Sequence, residues 1–158
     1  MTPVPAHALG YGQFFGAPAV RHELSGFSLA RIAATAPPAE VPEHVHETAH
    51  VVVVLDGPYL TDAERIEPGR APALVYNPPG TVHRDRFDAN HGVFFTLSVS
   101  DQLAALGADR LPGQPVALSS GTAVRLARRL VRDCRVWPPR STARTEALCA
   151  DLSQPKAG

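Results

Sequence analysis

Four histidines, His44, His46, His50 and His83, are the residues whose type and spacing suit chemistry. His44, His46 and His50 share even parity. Alternate residues of a β-strand face one side, so an extended chain here turns all three the same way, together with Thr48. Glu43 and Glu47 have the opposite parity and are expected to face away. His83 follows a turn, Pro78-Pro79-Gly80, on a separate strand. A neutral imidazole nitrogen is a common ligand for divalent transition metals. The four histidines together therefore suit one metal ion, zinc, nickel, iron, manganese or copper, with an open coordination position. Four imidazoles carry no charge, so the ion's full charge would favour an anionic small molecule in that position.

A single strand histidine is ordinarily a packed or surface residue. The shared face and the fourth histidine set this group apart, whereas His7, His22 and His91 fall outside the pattern and read as surface or structural. Asp85 shares parity with His83 and is the carboxylate best placed to orient an imidazole, or else to pair with an arginine. Tyr59, Tyr76, Phe87 and Phe95 are aromatics for either the core or the lining of a ligand pocket, with Tyr76 and Phe95 the nearest to the pattern.

The elements that must position these residues are mostly strands. Sixteen prolines in 158 residues argue against long helices over most of the chain and punctuate it with turns. Residues 1–12 read as a loose arm, with a first strand within 13–25 and a second over 27–34. Val51-Val52-Val53-Val54-Leu55 is a run buried on both faces, as in a closed barrel or sandwich. Asp56-Gly57 is a hairpin signal, and Tyr59–Ile66 is the expected return strand. Short strands follow at 73–76 and 83–87. Over 93–99, Val93, Phe95, Leu97 and Val99 alternate with Phe94, Thr96 and Ser98.

The pattern changes to helical from Thr122 to Val136. Val124, Ala127, Val131 and Cys134 form an apolar stripe, widened by Leu130. Arg125, Arg128, Arg129, Arg132 and Arg135 lie mostly off it. Ser119 or Ser120 caps the start, and Trp137-Pro138-Pro139 stops the helix. A second helix is expected over 142–152, with Thr145, Leu148, Cys149 and Leu152 on one side. Residues 1–24 thus form an arm and first strand, 25–115 a β-barrel, and 119–155 a helical pair.

Composition narrows the function. Lys plus Arg and Asp plus Glu number 15 each, which gives no electrostatic reason to expect nucleic-acid binding by this segment. The arginines of the first helix read as a solvated face. Hydrophobic residues are 44% of the chain, but the longest apolar run is far too short for a membrane span. The N-terminus lacks a basic region followed by an apolar run, and a cytoplasmic location is expected. Cys134 and Cys149 both fall in the helical stretch and do not indicate a disulfide framework.

At the histidines the sequence resembles the cupin superfamily. His44-x-His46 and Gly57 match its first motif, with His50 where the family carries Glu and Pro38 where the motif opens on Gly. Pro78-Pro79-Gly80-Thr81-Val82-His83 matches the centre of the second motif, with Pro72 and Phe87 in place of its flanking Gly and Asn. The resemblance implies a double-stranded β-helix, or jelly-roll barrel, with a mononuclear metal site. More closely, about residues 25 to 155 are similar to the N-terminal sensor domain of AraC-like transcriptional regulators, in which a cupin barrel precedes a helical pair. That similarity implies a small-molecule ligand in the barrel, a homodimer through the helices, and DNA-binding helices beyond them that this chain does not carry. The alternative is a free-standing metal-dependent cupin enzyme of the dioxygenase, isomerase or decarboxylase type. The degenerate motif flanks and the helical appendix favour the sensor over the enzyme.

Overall fold

The valine run after His50 forms the centre of the architecture. In the computed structural model, which describes residues 7–35, 41–57, 59–60, 74–84, 86–87, 92–106, 113–118 and 120–153, it becomes β5 (His50–Asp56). Its first four residues are buried, as a β-branched strand packed on both faces requires. β5 lies between β7 (Leu74–Asn77) and β10 (Val93–Val99) and is antiparallel to both. Beyond β10 come β3 (Phe27–Ala33) and then β2 (Ala17–Leu24). Beyond β7 comes β11 (Val116–Ala117). The order of this six-stranded sheet is β11-β7-β5-β10-β3-β2.

A second sheet has the order β1-β4-β8, built from β1 (His7–Leu9), β4 (His44–His46) and β8 (Val82–His83). Part of the expected loose arm is thus a strand. β1 runs parallel to β4, held by His7 N–H donating to the Glu43 carbonyl and Glu47 N–H donating to that of Leu9. β6 (Tyr59–Leu60) pairs with β9 (Arg86–Phe87). The chain after Gly57 therefore does not return along β5 as its Asp-Gly signal suggests. Both flanks of β5 are taken by longer partners, β7 and β10. The remainder of the expected return strand, residues 61–66, lies outside the described residues.

Alternation in the large sheet separates two cores. Leu29, Val51, Val53, Leu74, Tyr76, Phe95, Leu97 and Val99 face the helices. Ala30, Ile32, Val52, Val75 and Phe94 face the other way, with Phe14, Ala34 and Val54 packed against them. The register agrees: Thr96 lies opposite Val52, and Leu97 opposite Val51.

After β10 a short helix, α1 (Asp101–Leu106), precedes β11. α2 (Gly121–Asp133) starts where Ser120 accepts a hydrogen bond from Ala123 N–H at 3.1 Å. α3 (Thr142–Ser153) buries Thr145, Leu148, Cys149 and Leu152, the side that helical periodicity predicts. Ala127 and Leu130, from the apolar stripe of α2, are buried in this chain's own core with residues of α3 and the sheet, and Val131 packs on its margin. Strands followed by a helical pair is the predicted order.

Candidate metal centre

His44 and His46 stand on alternate positions of β4 and project from one face. His83 lies directly opposite His44 across the β4–β8 ladder, with ring centroids 4.6 Å apart. The turn before His83 fixes that position. Gly80 takes a positive φ of 80°, Thr81 Oγ1 donates to the Pro78 carbonyl at 2.9 Å, and Gly80 N–H donates to the His46 carbonyl at 2.9 Å. A side chain at Gly80 would meet no neighbour but would strain the left-handed backbone.

One ligand nitrogen from each of His44, His46 and His83 lies within 4.8 Å of the others. All four predicted histidines are buried, none more than 4% exposed. His44 Nδ1–H donates to the Pro42 carbonyl at 2.9 Å, since a carbonyl can only accept. That hydrogen bond fixes the tautomer with its lone pair on Nε2, the arrangement found in metal-ligating histidines.

His50 reaches the cluster by another route. Shared parity predicts it on one continuous strand with His44 and His46. The chain instead bends at Glu47 and Thr48, so β4 ends at His46 and His50 opens β5 in the opposite sheet. Its ring lies 4.1 Å from that of His46 and 5.9 Å from that of His83. Asn77, opposite it on β7, donates from Nδ2 to His50 Nε2 at 3.2 Å. His50 therefore packs against His46 from the opposite sheet, with its Nε2 engaged by Asn77. Burial first, and then its neighbours His46 and His83, hold its imidazole well below the usual histidine range, so it is neutral near pH 7.

The other expected site residues divide. Thr48 is buried at the bend, while Glu43 and Glu47 are exposed, as parity predicts. Tyr76 and Phe95 are buried on the helix-facing side of the sheet, opposite to His50. They do not face the histidines, because Tyr76 pairs with Val51 and Phe95 with Val53, each of odd parity relative to His50. Burial pushes the Tyr76 phenol up to about 12. Asp85 lies outside the described residues, as does His91; the side chains of Tyr59 and Phe87 are likewise not described.

Sequence reasoning missed two sets of neighbours. Phe14 sits 4.8 Å from the His46 ring and 5.2 Å from the His50 ring, and Phe15 sits 4.9 Å from that of His44. Their signal was a pair of adjacent phenylalanines at the start of the expected first strand. Asn77 and Ser98 flank His50 on the two adjacent strands. Asn77 reads in sequence only as a strand stop before Pro78-Pro79.

Two features now stand together. One is a six-stranded antiparallel sheet in which strands distant in sequence are neighbours. The other is a facing sheet that brings His44, His46 and His83 to within 4.8 Å of one another. This is the cupin fold. No protein-family model and no curated protein matches the sequence. Among solved structures, a cupin-2 domain protein from Shewanella frigidimarina is similar at 16% identity, over 55% of this chain and 83% of that one, with a TM-score of 0.43. A cupin 2 conserved barrel domain protein from Salinispora arenicola is similar at 18% identity, over 58% and 82%, also with a TM-score of 0.43. An oxalate oxidase in complex with glycolate is similar at 17% identity, over 81% and 64%, with a TM-score of 0.38.

The donor set itself fits a metal. Three buried imidazoles converge, and one has its tautomer fixed by a carbonyl. His44, His46 and His83 could hold it. Among the described residues, no helix is long and apolar enough to cross a membrane.

Proposed function

We propose that this cupin barrel is a metal-dependent sensor domain of the AraC-like type. In this reading His44, His46 and His83 hold one divalent transition metal, with His50 beside them as the fourth histidine. When bound, the metal supplies a positive centre that attracts the carboxylate or other anionic group of a small ligand. The apolar wall of Ile32, Val52, Val75 and Phe94 receives the ligand's body, and Phe14 and Phe15 close over it. Asn77, Thr96 and Ser98 offer amide and hydroxyl groups that hydrogen-bond a ligand without exchanging protons near neutral pH. A homodimer through the outer faces of the helices belongs to the same reading.

One observation carries the sensor role. β5 and β10 present the site on one face and the helices on the other. His50, Val52, Thr96 and Ser98 alternate with Val51, Val53, Leu97 and Val99, which pack toward α2 and α3. A ligand that favours one arrangement of these strands would shift the helices through a single layer of backbone. The test uses cobalt-loaded protein titrated with benzoate. Benzoate is expected to shift the visible absorption of the cobalt and to change amide hydrogen exchange in α2 and α3. The His83→Ala protein should show neither response. A spectral shift with unchanged exchange in the helices would leave a binding site and remove the sensor role.

A second reading, a mononuclear metal-dependent enzyme, draws on His50. Its buried imidazole lies beside the trio, and Nε2 becomes available as a base once the Asn77 amide gives way to a substrate. It requires a substrate whose turnover is lost in His50→Gln while metal content is kept.

A further inference from the structure

On the helix-facing side of the large sheet, away from the histidines, the ends of β5 and β7 and one side of α2 enclose an open cleft of about 470 Å³. Its floor is apolar: Val53, Leu55 and Leu74 from the sheet, Val124 and Val131 from α2. Its rim is cationic. Arg128, Arg132 and Arg135 all line the cleft, and their spacing of four and then three residues stacks them along one side of the helix and the turn after it.

Asp133, the one carboxylate within α2, is engaged by Arg144 at 3.9 Å. Among the described residues none of the three guanidiniums is in an ion pair. A merely solvated basic face would not place them around half-buried valines. The volume lies within the range of small-molecule sites, roughly 300–1,000 Å³. An inorganic anion would gain nothing from the floor, and a neutral hydrocarbon nothing from the rim. A planar carboxylate matches a guanidinium by two parallel hydrogen bonds.

We infer that this cleft is a second ligand site, independent of the histidines, for a small amphiphilic anion with an apolar body and a carboxylate head. The apolar body lies on Leu55, Leu74, Val124 and Val131, and the carboxylate is held by Arg128 and its neighbours.

The test uses the full chain with decanoate, kept below its micelle-forming concentration, followed by calorimetry and by methyl NMR. Saturable binding of one decanoate per chain is expected, with shifts at the Val124 and Val131 methyls. Decanol and inorganic phosphate should each bind about tenfold or more weakly, as should decanoate to Arg128→Gln/Arg132→Gln. Arg129→Gln, whose residue does not line the cleft, should bind as the native chain does. Three results would overturn the inference: no saturable binding, equal affinity in the double variant, or shifts confined to Val52 and Val75 inside the barrel.

Discussion

Asn77 and His50 face each other across the β5–β7 ladder, and the amide donates to the imidazole at 3.2 Å in a fully buried site. This contact ties His50 to the large sheet, where its ring faces the three histidines of the other sheet. It fixes the ring's position and assigns its Nε2 as an acceptor.

Asn77→Ala leaves that acceptor buried and unmatched. The expected loss is about 1–3 kcal/mol of folding stability, read from the midpoint of urea denaturation. Replacing both partners, as in His50→Leu/Asn77→Leu, removes the unmatched groups together and should lose less than the single change. Equal losses in the two proteins would mean that the hydrogen bond contributes nothing specific.

The two cysteines are expected to be inert in the folded chain. Both are buried, and burial pushes the Cys134 thiol up to about 12, with the nearby Asp133 carboxylate adding to it. Cys149 is shifted further in the same direction, chiefly by burial. Only the thiolate reacts with iodoacetamide. At pH 8 the native protein should resist alkylation for hours, while the urea-unfolded protein should react at both positions. Rapid native labelling would contradict the packing of α2 against α3.

His22 tests how the helical pair is tied to the barrel. Its ring lies flat on the Trp137 indole, with centroids 3.9 Å apart and planes 9° from parallel. Burial there lowers the imidazole below its ordinary 6.5, partly offset by a hydrogen bond to the Cys134 backbone. The folded state then binds fewer protons at His22 than the unfolded state, so its contribution to stability declines as pH falls through and below 6.5. An NMR titration should place the His22 midpoint below 6.5, and Trp137→Ala should raise it. A midpoint that the substitution leaves unmoved would show that the stacked ring is not what buries His22.

Much of this arrangement was legible in the residues. The alternation from Phe94 to Val99 is the one observed, and so is the buried side of α3 from Thr145 to Leu152. Ser120 caps α2 as its type predicts. What escaped was non-local. No periodicity announces that the chain bends at Glu47 and Thr48 and sends His50 into the opposite sheet. Likewise, nothing near Tyr76 tells which face of the sheet it shares, because that depends on its register with Val51, a strand formed 25 residues earlier. The parallel pairing of His7–Leu9 with β4 was hidden for the same reason. Residue type identified the histidines, and long-range register decided how they meet.

The central claim is that His44, His46 and His83 hold one metal ion. The most direct measurement is elemental analysis of untagged protein purified without chelator, beside His46→Ala/His83→Ala prepared identically and shown by circular dichroism to keep its fold. The account expects close to one divalent transition metal per native chain and almost none in the folded variant. Metal-free native protein that stays so after reconstitution, or equal metal in both proteins, would contradict it.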